Sequence, residues 1–455
     1  MGSLHDTIAA LATPAGTAAI AVLRASGPEV PALTRAIFGE LPEPRMARHA
    51  DYRDARGEMI DDVLFTFFAA PNSYTGEDTL EISCHGNPFI AQKILEDLLA
   101  RGCRAAEAGE FTKRAFLAGR MDLSQAEAVM DLIHARSERA LAAANRQLRG
   151  SLGRRMDELI ALLLNSLAQI EAYIDFPDED LPEENRAALV SQLKELRAKT
   201  QRLAATNHYG QILRDGIRTV IIGEPNAGKS SLLNRLVGRE RALVSPEPGT
   251  TRDYIEETIA LGQHALRLVD TAGLNAQPGA LERRGIEKTL EQAGEADLFL
   301  WVLDASAATP PALPAHLRDR ISAANTLTVL NKVDLAPAGS GSSGTAVAGL
   351  PNPVAVSALR GDGIETLVAA LEARAESFRT EVGEDWVAIN ARHADALGRA
   401  VQAIESALAG LTVGISSELV SSHLREALAA YGEISGRVDN ERMLDVLFSS
   451  FCIGK

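Results

Sequence analysis

The segment Gly223-Glu224-Pro225-Asn226-Ala227-Gly228-Lys229-Ser230 constrains the fold of this chain more than any other stretch. An apolar run at 220–222 precedes it and predicts a buried parallel strand, and apolar residues at helical spacing follow it. The glycines let successive backbone N–H groups and the positive end of the helix face one point. The segment therefore predicts a phosphate-binding loop, in which Lys229 supplies a charge and Ser230 a hydroxyl ligand for Mg²⁺. A chance loop of the same pattern is the alternative.

Two further segments supply groups for a metal beside this loop. Asp270-Thr271-Ala272-Gly273 follows an alternating strand, so the Asp270 carboxylate is expected at the carboxyl end of that strand, where it can hold the shell of the magnesium ion. The amide of Gly273 is then within reach of a terminal phosphate. Thr251, in a loop rich in glycine and proline, is placed to offer its hydroxyl to the same ion.

A third pair of segments indicates which base is bound. Asn331-Lys332-Val333-Asp334 ends an apolar strand, and a carboxylate such as Asp334 accepts two hydrogen bonds from guanine that adenine cannot supply. Ser357-Ala358 would close over the base. In this order the segments resemble the G domain of GTPases, with an unrelated nucleotide or a structural loop as the alternative. The resemblance assigns GTP binding to Asn226, Ala227, Gly228, Lys229, Ser230, Ser231, Ser245, Pro246, Glu247, Pro248, Gly249, Thr250, Thr251, Asp270, Thr271, Ala272, Gly273, Asn331, Lys332, Asp334, Ser357 and Ala358.

The residue that positions the attacking water differs from that of Ras-like GTPases. Those enzymes carry Gln after Asp-x-x-Gly, whereas this chain has Leu274, whose aliphatic side chain cannot orient water. Glu282 is the nearest downstream carboxylate and is the candidate for this catalytic role, with a solvated surface Glu as the alternative. No arginine finger is evident in the chain. Asn226, together with carbonyls of 245–249, is a candidate site for a monovalent cation in its place.

The length, net charge and cysteine content of the chain limit the remaining possibilities for its fold and function. A chain of 455 residues is too long for one core and predicts about three domains. A net charge of −15 argues against a surface coated for nonspecific binding to nucleic acid, so RNA contacts need a local patch. The three cysteines, Cys84, Cys103 and Cys452, form no Cys-x-x-Cys pair, which argues against a disulfide framework or zinc site. Without a signal peptide or membrane span, we expect a soluble cytoplasmic protein with no membrane contact.

Composition and periodicity divide the chain into four segments. Residues 1–118 predict an α+β module, and 119–215 predict an all-α helical domain. Residues 216–377 form the α/β G domain with a mostly parallel sheet, and 378–455 return to helices. We expect the last helices to dock on those before 215, with the G domain inserted between two halves of one helical domain. A separate C-terminal helical domain is the alternative.

A run of arginines is the best candidate for an RNA contact. Six arginines stand against a single Glu between 136 and 155, and Arg139, Arg146 and Arg149 share one helical face. The alternative is a solvated or ion-paired face.

Several motifs identify a family. They are Asp6-Thr7-Ile8, Pro71-Asn72-Ser73-Tyr74-Thr75-Gly76-Glu77-Asp78, Gly109-Glu110-Phe111-Thr112-Lys113-Arg114-Ala115-Phe116, Ser124-Gln125-Ala126-Glu127-Ala128, Gly223 to Ser231, Gly249-Thr250-Thr251-Arg252-Asp253 and Cys452-Ile453-Gly454-Lys455. With them the chain closely resembles, along its full length, the bacterial tRNA-modification GTPases of the MnmE (TrmE) family.

The resemblance implies a reaction and its partners. Members of the family act with the FAD-dependent MnmG (GidA) protein, in a heterotetramer or larger complex, to build an aminomethyl or carboxymethylaminomethyl group on C5 of the wobble uridine of certain tRNAs. A 5-formyl- or 5,10-methylene-tetrahydrofolate carries the one-carbon unit, and GTP hydrolysis drives the rearrangement. The N-terminal module binds the folate and forms the homodimer.

The family's residue roles are carried over by motif. The folate-contacting positions correspond to Arg24, Glu81, Arg120 and Lys455, with Cys452 nearby. A carboxylate suits the amino and ring N–H groups of a pterin, and cations suit the glutamate tail of the folate. Cys452 is either a thiolate nucleophile near the folate carbon or a small apolar plug.

The resemblance also implies that two G domains meet across their nucleotide faces in the presence of K⁺. It assigns Mg²⁺ to Ser230 and Thr251, K⁺ to Asn226, Ser245, Glu247 and Thr250, and catalysis to Glu282.

Two stretches depart from the family pattern. Thr17-Ala18-Ala19 stands where Arg-Gly-Gly or a close variant is usual, and 339–344 is an unusual Gly/Ser insertion. A ribosome-assembly GTPase and a signalling switch remain the alternative functions, although neither gives the Cys-Ile-Gly-Lys terminus or a folate module a purpose.

Overall fold

The computed structural model describes residues 6–175, 183–239, 255–270, 294–307, 317–318, 320–335, 350–380, 386–436, 441–449 and 451–454. The chain forms two compact units, one of Met1–Met130 with Tyr431–Lys455 and one of Asp131–Ala430. Within the described residues, each unit contains a six-stranded sheet.

The first unit is an α+β module. Its strands are β1 (Ile8–Leu11), β2 (Ile20–Ser26), β3 (Ala47–Arg53), β4 (Met59–Phe68), β5 (Thr79–His85) and β6 (Arg104–Ala105), and its helices are α1 (Val30–Phe38), α2 (Pro88–Ala100) and α3 (Glu110–Leu117). Helix α4 (Leu123–His134) contributes residues to both units. The strand order is β3-β4-β5-β2-β1-β6, and all neighbours are antiparallel except β1 and β6, which are parallel.

The two faces of this sheet differ because side chains alternate along each strand. Leu23, Phe65 and Ile82 lie on the face that packs with α1 and α2, and each is at most 1% exposed. Arg24 and Glu81 are register partners on the opposite face. The sheet thus buries its apolar residues on one side and presents a charged pair on the other.

The C-terminal segment also belongs to the first unit. Helix α13 (Glu441–Ser449) packs against α3, and Ile453 forms an isolated antiparallel bridge with Ala108. Gly454 has a φ of 96°, and a Cβ there would lie 2.4 Å from the Leu11 carbonyl oxygen. Only glycine allows the chain to lie this close to β1.

Helices dominate the start and end of the second unit. They are α5 (Glu138–Leu148), α6 (Ser151–Asp175), α7 (Glu183–Ala204), α8 (Asn207–Asp215), α11 (Ala391–Val413) and α12 (Ser417–Ser435), the last of which extends into the first unit. Helix α7 packs along both α6 and α11, so segments from before and after the central sheet share one helical core. Leu189, Leu193 and Leu196 place the apolar face of α7 in that core.

The sheet of the second unit is mostly parallel. Its strands are β7 (Ile217–Ile222), β8 (Ile255–Leu261), β9 (His264–Asp270), β10 (Leu298–Asp304), β11 (Thr326–Asn331) and β12 (Pro353–Ala355), and helices α9 (Lys229–Arg239) and α10 (Ile364–Thr380) pack with it. The order is β12-β11-β10-β7-β9-β8, with only the β8–β9 hairpin antiparallel. The strands are apolar on both faces, as expected for a parallel sheet.

The turn of the β8–β9 hairpin contacts helix α5. The backbone N–H of Arg139 donates to the Gln263 carbonyl at 3.3 Å, and its guanidinium donates to Glu376 Oε2 at 2.6 Å. The buried His264 ring lies 3.2 Å from the same carboxylate oxygen. One carboxylate of α10 therefore joins α5 to the hairpin.

These findings confirm the predicted fold class, which combines an α+β module, a helical domain and an α/β G domain with a mostly parallel sheet. The boundaries 1–118, 119–215, 216–377 and 378–455 remain predictions. Residues 431–455, which the sequence groups with 378–430, share their compact unit with the N-terminal residues.

A network of charges joins three of the family motifs in the first unit. The Arg114 side chain is 2% exposed, and its guanidinium donates to Asp6 at 2.7 Å, Glu110 at 2.9 Å and Glu77 at 3.2 Å. Arg104 donates to Asp6 at 2.7 Å and to Glu110 at 2.6 Å. Asp6 and Glu110 each contact both arginines, whereas Glu77 has its ion pair with Arg114.

We predict that Arg114→Met lowers the free energy of unfolding by about 3–5 kcal/mol, because it removes a buried cation shared by three carboxylates and breaks the ion pair of Glu77. Urea denaturation of the full chain at neutral pH measures this change. Arg48→Met, at an exposed position of β3, is the matched control. A loss below about 1 kcal/mol would contradict the proposed importance of the network.

The same network predicts a pH dependence. The hydrogen bond from Arg104 lowers the pKa of Asp6, and although burial acts to raise the pKa of Glu110, hydrogen bonds from Arg104 and Arg114 hold it below its ordinary value. These carboxylates stabilise the protein above about pH 4, the pKa of the unfolded chain, and the stability is lost as pH falls through the folded values. Arg114→Met therefore flattens the loss of stability on acidification.

Candidate functional sites

The phosphate-binding loop lies between β7 and α9, as the sequence predicts. Gly223 has a φ of 152°, and a Cβ there would lie 2.3 Å from the Val302 carbonyl oxygen. Gly228 has a φ of 93°, and a Cβ there would lie 2.2 Å from Asn331 Nδ2. Asn226, between them, adopts a left-handed φ of 63°. Both glycines are needed because neighbouring strands leave no room for a side chain.

Lys229 occupies the interior of this loop. Its side chain is buried, and Nζ donates to the carbonyls of Gly223 and Glu224, both at 2.8 Å. Burial lowers the pKa of Lys229, although the nearby carboxylates of Asp270 and Glu224 oppose the shift. The loop thus holds an ammonium group where a polyphosphate would neutralise it.

Ser230 and Asp270 meet at the start of α9 and the end of β9. The Ser230 hydroxyl donates to Asp270 Oδ2 at 2.9 Å, and Asp270 is 1% exposed. A hydroxyl and a carboxylate oxygen are ligands that suit Mg²⁺ beside a phosphate chain. This donor pair fits the predicted magnesium ion.

Asn331 connects the phosphate-binding loop to the loop at 357–361, named the base loop because Ser357 and Ala358 are predicted to close over the base. Its buried side chain donates through Nδ2 to the Ala227 carbonyl at 2.9 Å and accepts through Oδ1 from the Ala358 N–H at 3.0 Å. The Ser357 hydroxyl lowers the pKa of Asp334. The two segments that the sequence assigns to guanine therefore lie together.

Lys332 has a partner that the sequence does not reveal. Its backbone is left-handed, with a φ of 64°, and Nζ donates to Asp304 Oδ2 at 2.7 Å. The other oxygen of Asp304 accepts from the N–H and hydroxyl of Ser306. The sequence signal that could have identified Asp304 is its position at the carboxyl end of the apolar strand β10.

Part of the predicted nucleotide site lies outside the described residues. This holds for Ser245, Pro246, Glu247, Pro248, Gly249, Thr250, Thr251, Thr271, Ala272, Gly273 and Glu282. Their assignments remain predictions. The described part joins the phosphate loop, Asp270, the segment 331–334 and the loop 357–358 at one edge of the sheet.

A second candidate site lies on the open face of the N-terminal sheet. Arg24 donates through Nε and Nη2 to Glu81 Oε1 at 2.9 and 2.7 Å. The rings of Tyr74 and Phe111 lie 5.5 and 5.6 Å from its guanidinium carbon, and Arg24 Nη1 lies 3.4 Å from the Gly454 carbonyl oxygen. The two aromatic residues were missed as site residues because they reach Arg24 only through the tertiary fold.

The other predicted folate residues are less closely associated with this pair. Arg120 is exposed and follows the end of α3, and Lys455 lies outside the described residues. Cys452 is exposed, and its carbonyl accepts a hydrogen bond from the Gly109 N–H. Both interpretations of Cys452, a thiolate nucleophile and an apolar plug, remain predictions.

The arginine face on α5 is largely occupied within the chain. Arg139 pairs with Glu376, and the Arg146 guanidinium carbon lies 4.6 Å from the centroid of the Trp386 ring. These contacts favour the ion-paired alternative over a patch for RNA phosphates.

No helix in the described part of the chain is long and apolar enough to cross a membrane.

Comparison with known proteins extends the similarity beyond the nucleotide site. The family model described as the GTP-binding protein TrmE N-terminus matches residues 7–120, and that described as the MnmE helical domain matches 123–452. The tRNA modification GTPase MnmE of Opitutus terrae is 58% identical over 100% of both chains. That of Akkermansia muciniphila is 47% identical over 99% of each.

Among solved structures, the G domain of the T. maritima FeoB iron transporter aligns with 35% of this chain and 98% of its own length. The identity is 22% and the TM-score 0.26, so the assignment rests on the sequence matches. Those matches cover the residues on either side of the nucleotide motifs as well as the motifs themselves. The chain belongs to the MnmE (TrmE) family of tRNA modification GTPases.

Proposed function

We propose that this GTPase acts with an FAD-dependent MnmG (GidA) partner to add a (carboxymethyl)aminomethyl group to C5 of the wobble uridine of certain tRNAs. A tetrahydrofolate supplies the one-carbon unit. The observation that carries the proposal is the Arg24–Glu81 pair, a charged site on the N-terminal sheet of a chain that also contains a GTPase site. A GTPase that served only as a switch would have no need of this second site.

In the nucleotide site, we assign phosphate binding to the loop 223–230 and to Lys229, and the magnesium ligands to Ser230 and Thr251. The Ser230–Asp270 contact supports the metal assignment. When bound, Mg²⁺ neutralises charge on the outer phosphates. Asp334 selects guanine, since its carboxylate accepts from both the amino and the ring N–H group of the base.

The water that attacks the terminal phosphate needs an orienting group. Leu274 cannot serve, and we assign this role to Glu282. Asn226, Ser245, Glu247 and Thr250 are proposed to hold K⁺, which supplies positive charge beside the phosphates when bound.

In the folate site, Glu81 is proposed to accept the amino and ring N–H groups of the pterin. Tyr74 and Phe111 offer aromatic surface beside it, and Arg120 and Lys455 are proposed to contact the glutamate tail. The exposure of Cys452 is compatible with a thiolate nucleophile near the folate carbon.

The proposed assembly is a homodimer through the N-terminal module, joined to the FAD-dependent partner. Ile20 and Leu64 support this dimer surface, because both lie on the open face of the sheet and are 61% and 50% exposed. Three free cysteines fit a reducing, cytoplasmic location.

The guanine assignment predicts a change of base preference. Asp334→Asn should weaken GDP binding by about 100-fold, because an amide cannot accept both guanine N–H groups, and should create binding of xanthosine diphosphate. Titration with fluorescent nucleotides measures both effects, with the exposed Asp395→Asn as control. Unmodified protein that preferred ATP to GTP would overturn the assignment.

The cation assignment predicts that GTP hydrolysis is faster in K⁺ than in Na⁺, because carbonyl and amide ligands discriminate cations by size and dehydration. Asn226→Ala should remove the difference. Steady-state rates at constant Mg²⁺ and ionic strength test it, and equal rates of the unmodified protein in both salts would exclude a specific K⁺ site.

The folate assignment predicts that Glu81→Gln weakens binding of 5-formyl-tetrahydrofolate by about 30-fold while GTP binding is unchanged, because one charged hydrogen-bonding group is lost. Calorimetry measures both ligands, and the exposed Glu58→Gln is the control. In cells lacking this chain, mass spectrometry of tRNA should detect loss of the wobble modification, restored by the unmodified protein but not by Glu81→Gln. Normal modification in cells lacking the chain would refute the proposed reaction.

A further inference from the structure

Arg235 lies on α9, the helix that begins in the phosphate loop, but its side chain contacts the base loop. Nε donates to the Ala358 carbonyl at 3.0 Å, and Nη2 donates to the Leu359 carbonyl at 2.5 Å. One planar guanidinium therefore holds two successive carbonyl groups. These contacts span more than 120 residues of sequence.

The carbonyl groups that Arg235 holds also set the direction of the N–H group on the opposite side of the loop. Because a trans peptide directs its C=O and N–H in opposite directions, the held Leu359 carbonyl turns the Arg360 N–H away from Arg235. That N–H donates to the Ser357 hydroxyl at 3.1 Å, and the Arg360 guanidinium lies 3.9 Å from Asp334 Oδ2. The Ser357 hydroxyl in turn lowers the pKa of Asp334. The turn that Arg235 holds therefore carries two polar side chains, Ser357 and Arg360, that act on the carboxylate assigned to guanine.

The turn is compact at the point where Arg235 contacts it. Gly361 closes it with an N–H that donates to the Ser357 carbonyl at 2.7 Å, and a Cβ on Gly361 would lie 3.5 Å from Arg235 Nη2. The guanidinium therefore packs against the turn as well as bonding to it.

We propose that Arg235 is a positioning residue for guanine selection, acting through the 357–361 loop on the carboxylate of Asp334. This inference rests on the proposed nucleotide site. It assigns the residue no contact with substrate. Its effect is to hold the carboxylate in the plane where it accepts the 2-amino group of guanine.

The test compares GDP with inosine diphosphate, whose base lacks that amino group. Arg235→Met should lower the GDP-to-IDP affinity ratio about tenfold, mainly by weakening GDP, since the contact with the amino group is the one that loses its geometry. A purely structural role for Arg235 would weaken both nucleotides equally. Arg239→Met, on the same helix and paired with the exposed Glu365 at 3.0 Å, is the matched control and should leave the ratio unchanged.

Ser357→Ala provides an independent variant, because it removes the hydroxyl that links the turn to Asp334 and leaves α9 unchanged. It should lower the ratio by a similar factor, and the double variant should show little additional loss, since both changes act through the same turn. An unchanged ratio in Arg235→Met, or full additivity of the two losses, would overturn the inference. If the unmodified protein bound neither GDP nor GTP, the proposed function would fail and the inference with it.

Discussion

The described part of the nucleotide site depends on the hydrogen bonds of one buried side chain, that of Asn331. It accepts from the base loop and donates to the phosphate loop, so one amide joins two segments more than 100 residues apart. Gly228 makes this possible, because any Cβ there would occupy the position of the amide nitrogen. An unmade hydrogen bond at such a buried amide is costly, which favours one arrangement of both loops.

In the first unit, the two faces of the sheet differ in character. The sheet buries apolar side chains on one face and leaves the other face open, and the two sets of side chains alternate along the same strands. Apolar side chains of β2, β4 and β5 pack with two helices, while Arg24 and Glu81 face away from them. The Arg114 network then fixes the polar segments around that open face, and Gly454 lets the C-terminal segment lie against β1.

The sequence predicted those parts of the site whose residues lie close together in the chain. The strand, loop and helix around Lys229 and the order of the later segments follow from local spacing, because parallel strands end at one edge of a sheet. Contacts between distant residues could not be predicted in the same way. The Lys332–Asp304 pair, the hold of Arg235 on the base loop and the rings beside Arg24 all arise from tertiary packing. The arginines of α5 looked like a nucleic-acid surface only because Glu376 and Trp386 are more than 200 residues away.

The β8–β9 hairpin gives the second unit a mechanical property. Its seven-residue strands span about 20 Å, from Asp270 beside the phosphate-binding loop to His264 at the turn that contacts α5. A hydrogen-bonded ladder of this kind is stiff along its length. A shift of the strand ends beside the phosphate-binding loop would therefore move the hairpin as one unit and displace its contact with α5, without requiring a hinge within the ladder.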